Sequence, residues 1–452
     1  MHFFNFVHFV SWNFTNFVHK LNVMADFLTI LSDQKEELQR VTSYAKVSRI
    51  EESFLNLKSN LAQVVIGVRR SGKSTICQKS ILNSGLPFGY VNFDDERLEE
   101  ITANDFDSIL KVLYRLNGDF NILFLDEAQD VKGWHLFVNR MLRSGLKVVL
   151  TGSNANLLSS ELTTYLTGRY NEISLYPFSF VEYCQAENVN VSSQSTKSQA
   201  LRLKALDEYM ACGGLPEVIV NGEGKGYVMS LLNAIITKDI KKRHNIRYIE
   251  TLQEIANNVL DKYCQEISFN DIAREFSLKS VHTAKKYVSY LEEAFLIRII
   301  HKYSFKSSER TKNRKVYAVD LAFATNRTDL LTTENIGWRL ENIVLLELLR
   351  RTDKNFQNIF YIKKERQFEV DFIVCEKNKA IELIQVAHHI GDPASKLYKR
   401  EVGGLVKGSK YAKCSKLTLI VMEGERQTIN EGGRTIEIIP ASEWLCNGKN
   451  YR

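Results

Sequence analysis

Three observations predict a mixed α/β chain with a parallel sheet in its N-terminal half. Short apolar runs, QVVIG, YVNFD, NILFLDE, KVVLTGS and NEISLY, alternate with helical patterns between about Gln63 and Phe180. Each is almost continuously hydrophobic and too short for a helix, as expected of strands covered on both faces. A glycine-containing loop, GVRRSGKST (Gly67–Thr75), follows the first run and opens a helical pattern. After a mostly helical stretch ending near Ile300, a second α/β pattern begins near Lys315 and continues to the end.

The loop fits GxxxxGK[ST] at every required position. Gly67 and Gly72 let the backbone curl so that its N–H groups, including those of Arg70, Ser71 and Thr75, face nucleotide phosphates. Lys73 brings a positive charge to the β/γ oxygens of ATP, and Ser74 offers a hydroxyl to Mg²⁺. About fifty residues on, ILFLDE (Ile122–Glu127) is an apolar strand ending in two acids. Asp126 can hold the Mg²⁺ through its water shell, and Glu127 can orient and deprotonate the attacking water. The next strand runs into TGSNA (Thr151–Ala155), where Asn154, or its rival Ser153, would stand between the acids and the γ-phosphate. In LTGRY (Leu166–Tyr170), Arg169 precedes the fifth strand, where it can reach the γ-phosphate of a neighbouring subunit. That role requires a homo-oligomer.

A chain of 452 residues is long enough for about three domains, and 44% hydrophobic with 25% charged residues is a normal globular balance. The net charge is only +7, but the basic residues are clustered. Lys396–Lys416 holds seven Lys/Arg against one acid, and Lys302–Lys315 holds six against one, a charge pattern suited to duplex DNA. The seven cysteines lie at least 28 positions apart, which excludes a CxxC zinc site and offers no disulfide framework; a cytoplasmic location is expected. Residues 1–25 form a Phe-rich leader in which Asn, His and Ser interrupt every apolar run. It lacks a signal peptide's unbroken core, no membrane span is expected of it, and Met24 opens a more ordinary sequence, so an over-extended start is expected, with an interfacial anchor as the alternative. The expected domains are an ATPase core at 26–185, a boundary loop at 186–200, a helical lid with a winged helix at 201–310, and a C-terminal α/β domain at 311–452.

GVRRSGKST, LFLDEAQDVKGW, LTGSNANLLS, LTGRY, YPFSFVEY, CGGLPEV, VYAVDLAFA and EVDFIV occur in one order along the chain. In these the chain resembles bacterial and archaeal AAA+ ATPases (AAA 14 type) that carry a C-terminal domain of unknown function, type 4143, with a restriction-endonuclease-like fold. The resemblance implies a sheet order of 5-1-4-3-2 followed by a helical lid. It also implies a nucleotide-sensing role for the turn GGLP (Gly213–Pro216), with Pro216 close to the base.

Between these parts, Glu266–Ile300 carries a helix-turn-helix pattern. Asn270 is expected to cap a first helix through Phe276, and Ser280 a second, VHTAKKYVSYLEEA. Val281, Ala284, Val288 and Leu291 share its apolar face, leaving His282, Lys285, Lys286 and Ser289 to meet phosphates or base edges. FLIRII then forms the wing.

In the C-terminal domain, FEVDFIVCEKNKAIELIQVAHH (Phe368–His389) reads as two strands with Asp371 on the first, and the helix WRLENIVLLELLRR offers Glu341. A metal-dependent nuclease of this pattern would have an acid at 385 and a lysine at 387, where this chain has Gln385 and Ala387. Glu382 faces the wrong way, Glu369 could join Asp371 and Glu341, and the missing lysine has no stand-in beyond His388, also on the wrong face. The expectation is therefore a degenerate nuclease site (Glu341, Asp371, Gln385) on an ATP- and Mg²⁺-dependent ATPase that acts on DNA. An ATP-gated nuclease and an ATP-controlled scaffold without nucleic acid are the alternatives.

Overall fold

The computed structural model describes residues 26–38, 47–153, 166, 168–193, 195–304, 309, 314–325, 335–352, 357–377 and 379–447. The leader and Asn154 lie outside them. Two compact units are present: one of residues up to Gly67 with Gly72–Leu175, the other of Val68–Ser71 with Tyr176 onward.

The first unit opens with helix α1 (26–38), whose Phe27, Ile30, Leu31 and Leu38 are buried. Its sheet comprises β1 (Ala62–Ile66), β2 (Phe88–Asn92), β3 (Ile122–Asp126), β4 (Lys147–Gly152) and β5 (Tyr170–Ser174). The order is β2-β3-β4-β1-β5 and every pairing is parallel. This is the 5-1-4-3-2 order that the resemblance implied. β1 and β3 are buried along their whole length, which accounts for their unbroken hydrophobic sequence. Helices α2 (Lys73–Ser84), α3 (Phe106–Asn117) and α4 (Trp134–Arg143) connect the strands. Val65, Ile76, Cys77, Phe124, Val149 and Ile173 form one core cluster. α2 starts immediately after Gly72, whose φ of 92° lies in the left-handed region that a side chain would strain.

The second unit begins with helices: α5 (Phe180–Ala186), α6 (Thr196–Cys212), α7 (Pro216–Val220), α8 (Lys225–Ala234), a π-helical continuation (Ile235–Lys241) and α9 (Ile249–Asp261). Short strand β6 (Gln265–Glu266) precedes the helix-turn-helix pair, α10 (Phe269–Glu275) and α11 (Val281–Glu293). Ser280 caps α11 as expected, accepting the Thr283 N–H. α10 is capped by Ser268, which accepts from Asp271, and Asn270 lies inside the helix instead of at its cap. Ala284, Val288 and Leu291 are buried, but Val281, in the first turn of α11, is 43% exposed.

The remaining elements are β7 (Ile297–Lys302), β8 (Arg314–Ala318), α12 (Leu321–Thr325), α13 (Ile336–Arg351), β9 (Gln357–Lys364), β10 (Phe368–Glu376), β11 (Lys379–Ala387), α14 (Lys396–Ala412), β12 (Leu417–Val421), β13 (Gln427–Glu431), β14 (Arg434–Pro440) and α15 (Ala441–Asn447). The strands form one mixed sheet in the order β13-β14-β12-β11-β10-β9-β7-β8-β6. The expected boundary at 310/311 falls inside it. β7, the anticipated wing, pairs antiparallel with β8 and parallel with β9. Backbone hydrogen bonding thus joins the helix-turn-helix region to the C-terminal sheet, so the two are not separate domains.

The turn GGLP has a clear packing cause. Gly214 donates its N–H to Asp320 Oδ2 at 2.8 Å and accepts the Phe178 N–H at 2.7 Å. A Cβ on Gly213 (φ 81°) would stand 2.0 Å from Asp320 Oδ1, and one on Gly214 2.3 Å from the Phe178 carbonyl oxygen. Replacing Gly213 by Ala is expected to destabilise this unit by about 2 kcal/mol or more, read as a lower midpoint in urea. Burial pushes the Asp320 carboxyl up from 3.8 to about 7, despite the Ala322 and Gly214 N–H groups that it accepts. The folded chain therefore holds a proton that the unfolded chain has released, and this contribution to stability is complete below about pH 3.8 and is lost as pH rises through about 7. Thermal unfolding across that window should show a negative slope with pH that shrinks in Asp320→Ala.

Candidate active sites

At the ends of β3 and β4 the first unit brings together the predicted acids and lysine. Ser74 Oγ donates to Asp126 Oδ1 at 2.8 Å, and the Thr151 hydroxyl donates to the same oxygen. Thr151 Oγ1 in turn accepts the Glu127 N–H at 2.9 Å. Lys73 Nζ lies 3.5 Å from Glu127 Oε1, while Glu127 Oε2 accepts from the Ser153 N–H at 3.2 Å and from the Gln129 amide. Glu127 has φ 52° and ψ 41°, a left-handed conformation uncommon for a side chain other than Asn or Asp, which turns its carboxylate back toward Lys73. Burial raises the Asp126 carboxyl to about 6, and the neighbouring Glu127 adds to this. Thr151, Ser74 and Lys73 act in the opposite direction.

A serine hydroxyl beside a buried carboxylate suits Mg²⁺, which keeps most of its waters and uses one or two protein oxygens plus substrate phosphates. Ser74 and Asp126 would hold it. Gly67 and Ser71 are buried, Gly72 and Thr75 are half-buried, and Arg70 is exposed. Arg169 is exposed ahead of β5, and its carbonyl accepts the Ala62 N–H at 2.9 Å. Pro216 opens α7 in the second unit. In that unit Arg70 lies 3.7 Å from Glu217, and Arg69 3.5 Å from Asp239. Thr151 and Gln129 were missed by reading the sequence, although Thr151 stands in the quoted TGSNA.

A Methanocaldococcus jannaschii protein described as the uncharacterized protein MJ1544 is 34% identical over 417 residues, covering 88% of this chain and 92% of that one. The chain belongs to its family. A Haemophilus influenzae protein, also uncharacterized, is 32% identical and covers 74% of this chain and 84% of its own. Residues 59–184 match an AAA domain, and residues 203–334 match a domain of unknown function, DUF8612. Among solved structures, the Walker-type ATPase PABY2304 of Pyrococcus abyssi is similar at 17% identity and a TM-score of 0.38, covering 64% of this chain and 94% of that one. The matched residues 59–184, with their parallel sheet, form an AAA-type P-loop ATPase core. Among the described residues no helix is long and apolar enough to cross a membrane.

The second unit contains a cavity of about 770 Å³ where the degenerate nuclease site was expected. Glu341 and Asp371 both line it and both are buried. Asn342 bonds both the N–H and the carbonyl of Ala318 at 2.9 Å, as a strand partner would, which fixes α13 against β8. Glu341 Oε1 then accepts from the Tyr317 hydroxyl at 2.8 Å and from Lys315 Nζ at 3.3 Å. Lys315 also lies 2.8 Å from Glu369. Burial would lower the Lys315 ammonium, but Glu341, Asp371 and Glu369 outweigh it and hold the group firmly protonated. Asp371 Oδ2 accepts the Val386 N–H at 2.9 Å, while burial and the charge of Glu341 push its carboxyl well up.

Two sequence readings change here. An ammonium does stand beside the acids, that of Lys315 from β8, where the sequence offered only His388. Lys315 is also buried, so it leaves the basic run Lys302–Lys315, most of whose other residues lie outside the described ones. Gln385 is engaged structurally, accepting the Asp371 N–H at 3.3 Å and donating to Glu401 at 2.7 Å. Glu382 is directed elsewhere, onto Thr418 and Lys416.

Three substitutions test the first site. Lys73→Ala should abolish ATP binding in a fluorescent-nucleotide titration. Glu127→Gln should bind ATP but lose at least about 100-fold in turnover, because an amide cannot take the water's proton. Thr151→Val leaves the Glu127 N–H without its acceptor, at a cost of about 1–3 kcal/mol, and should weaken Mg²⁺-dependent turnover while sparing metal-free nucleotide binding.

Proposed function

We propose that the protein is a homo-oligomeric ATPase that hydrolyses ATP with Mg²⁺ and acts on duplex DNA through its second unit. The observation that supports it most strongly is the linkage of Lys73, Ser74, Asp126, Glu127 and Thr151 at one end of the parallel sheet. Lys73 is paired with Glu127. Phosphates binding at Lys73 compete for its ammonium and leave Glu127 to accept a proton from the attacking water. The new bond forms between that water's oxygen and the γ-phosphorus as the bond to ADP breaks. Mg²⁺, when bound at Ser74 and Asp126, neutralises charge on the β- and γ-oxygens. Asn154 or Ser153 would orient the γ-phosphate, Pro216 would sense the base, and Arg169 would act on a neighbouring subunit's ATP.

Exposed cations support the DNA part. His282, Lys285 and Lys286 are exposed on α11, as are Lys396, Lys399, Arg400, Lys407 and Lys410 on α14. These groups suit phosphate contacts with little sequence preference. The nuclease alternative gains one specific observation, the seating of Lys315 among Glu341, Glu369 and Asp371, whereas the restriction-endonuclease-like assignment itself rests on the type 4143 resemblance.

Mixing Arg169→Ala with Glu127→Gln chains should recover turnover that neither has alone, since each shared interface can pair an intact arginine with an intact glutamate. Normal turnover by assembled Arg169→Ala would exclude the trans role. Fluorescence anisotropy on duplex DNA should show affinity falling with salt, each neutralised phosphate contributing about −0.9 to the log–log slope. Absence of binding at low salt would favour the scaffold.

A further inference from the structure

The two arginines of the phosphate loop are engaged within the second unit, to which Val68–Ser71 belong. Arg69 lies 3.5 Å from Asp239, with side chains only 15% and 8% exposed, while Arg70 lies 3.7 Å from Glu217 nearer the surface. Arg70 has φ 67°, so the middle of the loop is held in a left-handed conformation that strains a side chain. Asp239 is a buried carboxylate flanked in sequence by buried Ile235, Ile236 and Ile240, where it requires a cation nearby. These residues belong to the π-helical segment Ile235–Lys241, which lies inside one unbroken helical stretch from Lys225 to His244. Winding of this kind is rare and occurs mostly at functional sites. The far end of the stretch grips the helix-turn-helix. His244 stacks on Tyr290 of α11, with ring centroids 3.7 Å apart and 14° between the planes. Its Nε2 lies 3.1 Å from Glu293 Oε2, also on α11. Arg243 Nη1 donates to the Asp239 carbonyl at 3.2 Å, tying this last turn to the residue that faces Arg69.

We propose that the π-helical segment is a nucleotide-operated switch, through which filling of the phosphate loop re-aims α11. ATP phosphates bring negative charge to the loop and compete with Asp239 for the Arg69 guanidinium. Loss of that cation weakens the compensation of the buried Asp239 carboxylate and raises the free energy of the segment in its π winding. Rewinding as α-helix lets Asp239 leave its buried place. It also turns every residue beyond the segment about the helix axis, because α winding advances each residue by about 100° and the wider π winding by less. His244 then swings against Tyr290 and Glu293 and carries the change to α11. By linkage, the pairing of Arg69 with Asp239 opposes nucleotide binding as strongly as nucleotide opposes the pairing. A helix with two windings supplies the discrete alternatives that such coupling requires. That α11 thereby changes its hold on DNA rests on the DNA reading above; the switch itself does not.

The test uses the full-length chain with Mg²⁺ and adenylyl imidodiphosphate, an ATP analogue that resists hydrolysis. Affinity is read by calorimetry, and the state of the helix by hydrogen exchange of amides in 235–244 and in α11. The analogue is expected to change exchange about fivefold or more in both places. Asp239→Asn removes the charge that holds Arg69, so it should tighten analogue binding about fivefold or more and abolish both exchange responses. A strut that merely shaped the loop would instead weaken binding when broken. His244→Ala should keep the response in 235–241 and lose the one in α11. Arg69→Gln breaks the pair from the loop side and should also lose both responses, which serves if Asp239→Asn does not fold; circular dichroism establishes folding. Anisotropy on duplex DNA separates the two readings, since exchange transmitted to α11 without DNA binding supports the switch and overturns the DNA reading. Absence of an exchange response in the unmodified chain, weaker or unchanged analogue binding in folded Asp239→Asn, or an α11 response that survives His244→Ala would each overturn the switch.

Discussion

Carboxylates held out of water at strand ends must be compensated by neighbours, and both units are organised around that requirement. In the first, Asp126 is buried at the tip of β3 and is kept there by hydroxyls of Ser74 and Thr151 and by the nearby charge of Lys73. Each partner belongs to a different element: Ser74 and Lys73 to the first turn of α2, Thr151 to β4. The parallel register is what brings them together, because strands running the same way end on the same side of the sheet. Loss of one partner leaves a buried acid uncompensated, which costs more than the bond itself is worth.

The second unit meets the same constraint with a different solution. Lys315 offsets Glu341, Glu369 and Asp371, while Asn342 secures the helix that carries Glu341 by serving as a hydrogen-bonding partner to β8. Gln385 bridges the Asp371 backbone N–H to the Glu401 carboxylate. Asp320 is a third example. It is buried without a paired cation as its first support, is satisfied by backbone N–H groups, and forces glycine at 213 by standing where a side chain would go, as the Phe178 carbonyl does at 214. The motifs CGGLPEV and VYAVDLAFA, a hundred residues apart, are thus two halves of one hydrogen-bonded turn.

Much of the first unit was legible because its signals are local. A strand buried on both faces must be apolar throughout, and a loop that curls before a helix needs glycine, so QVVIG, GVRRSGKST and NILFLDE carried both element and site. The helix-turn-helix was legible for the same reason, although the cap of its first helix was misplaced by two residues because Ser268 and Asn270 are both good capping residues. The type of the C-terminal elements was readable, but their partition was not. Nothing in FLIRII shows that its strand pairs with both β8 and β9, since edge pairing leaves no mark on a six-residue run.

By itself the sequence determined the nucleotide loop and its acids, because spacing along a strand and helix fixes which of those side chains share an end; the order of the first sheet followed only from the resemblance. It also determined that position 387 has no lysine. Only the tertiary structure decided which cation stands beside the acids of that region. Lys315 sits more than fifty residues before Asp371 and is separated from it by two intervening strands, and only the curl of the sheet brings the ammonium to the carboxylates. Sequence spacing constrains neighbours within one element; a charge contributed from a distant strand obeys the geometry of the whole sheet, which no local pattern encodes.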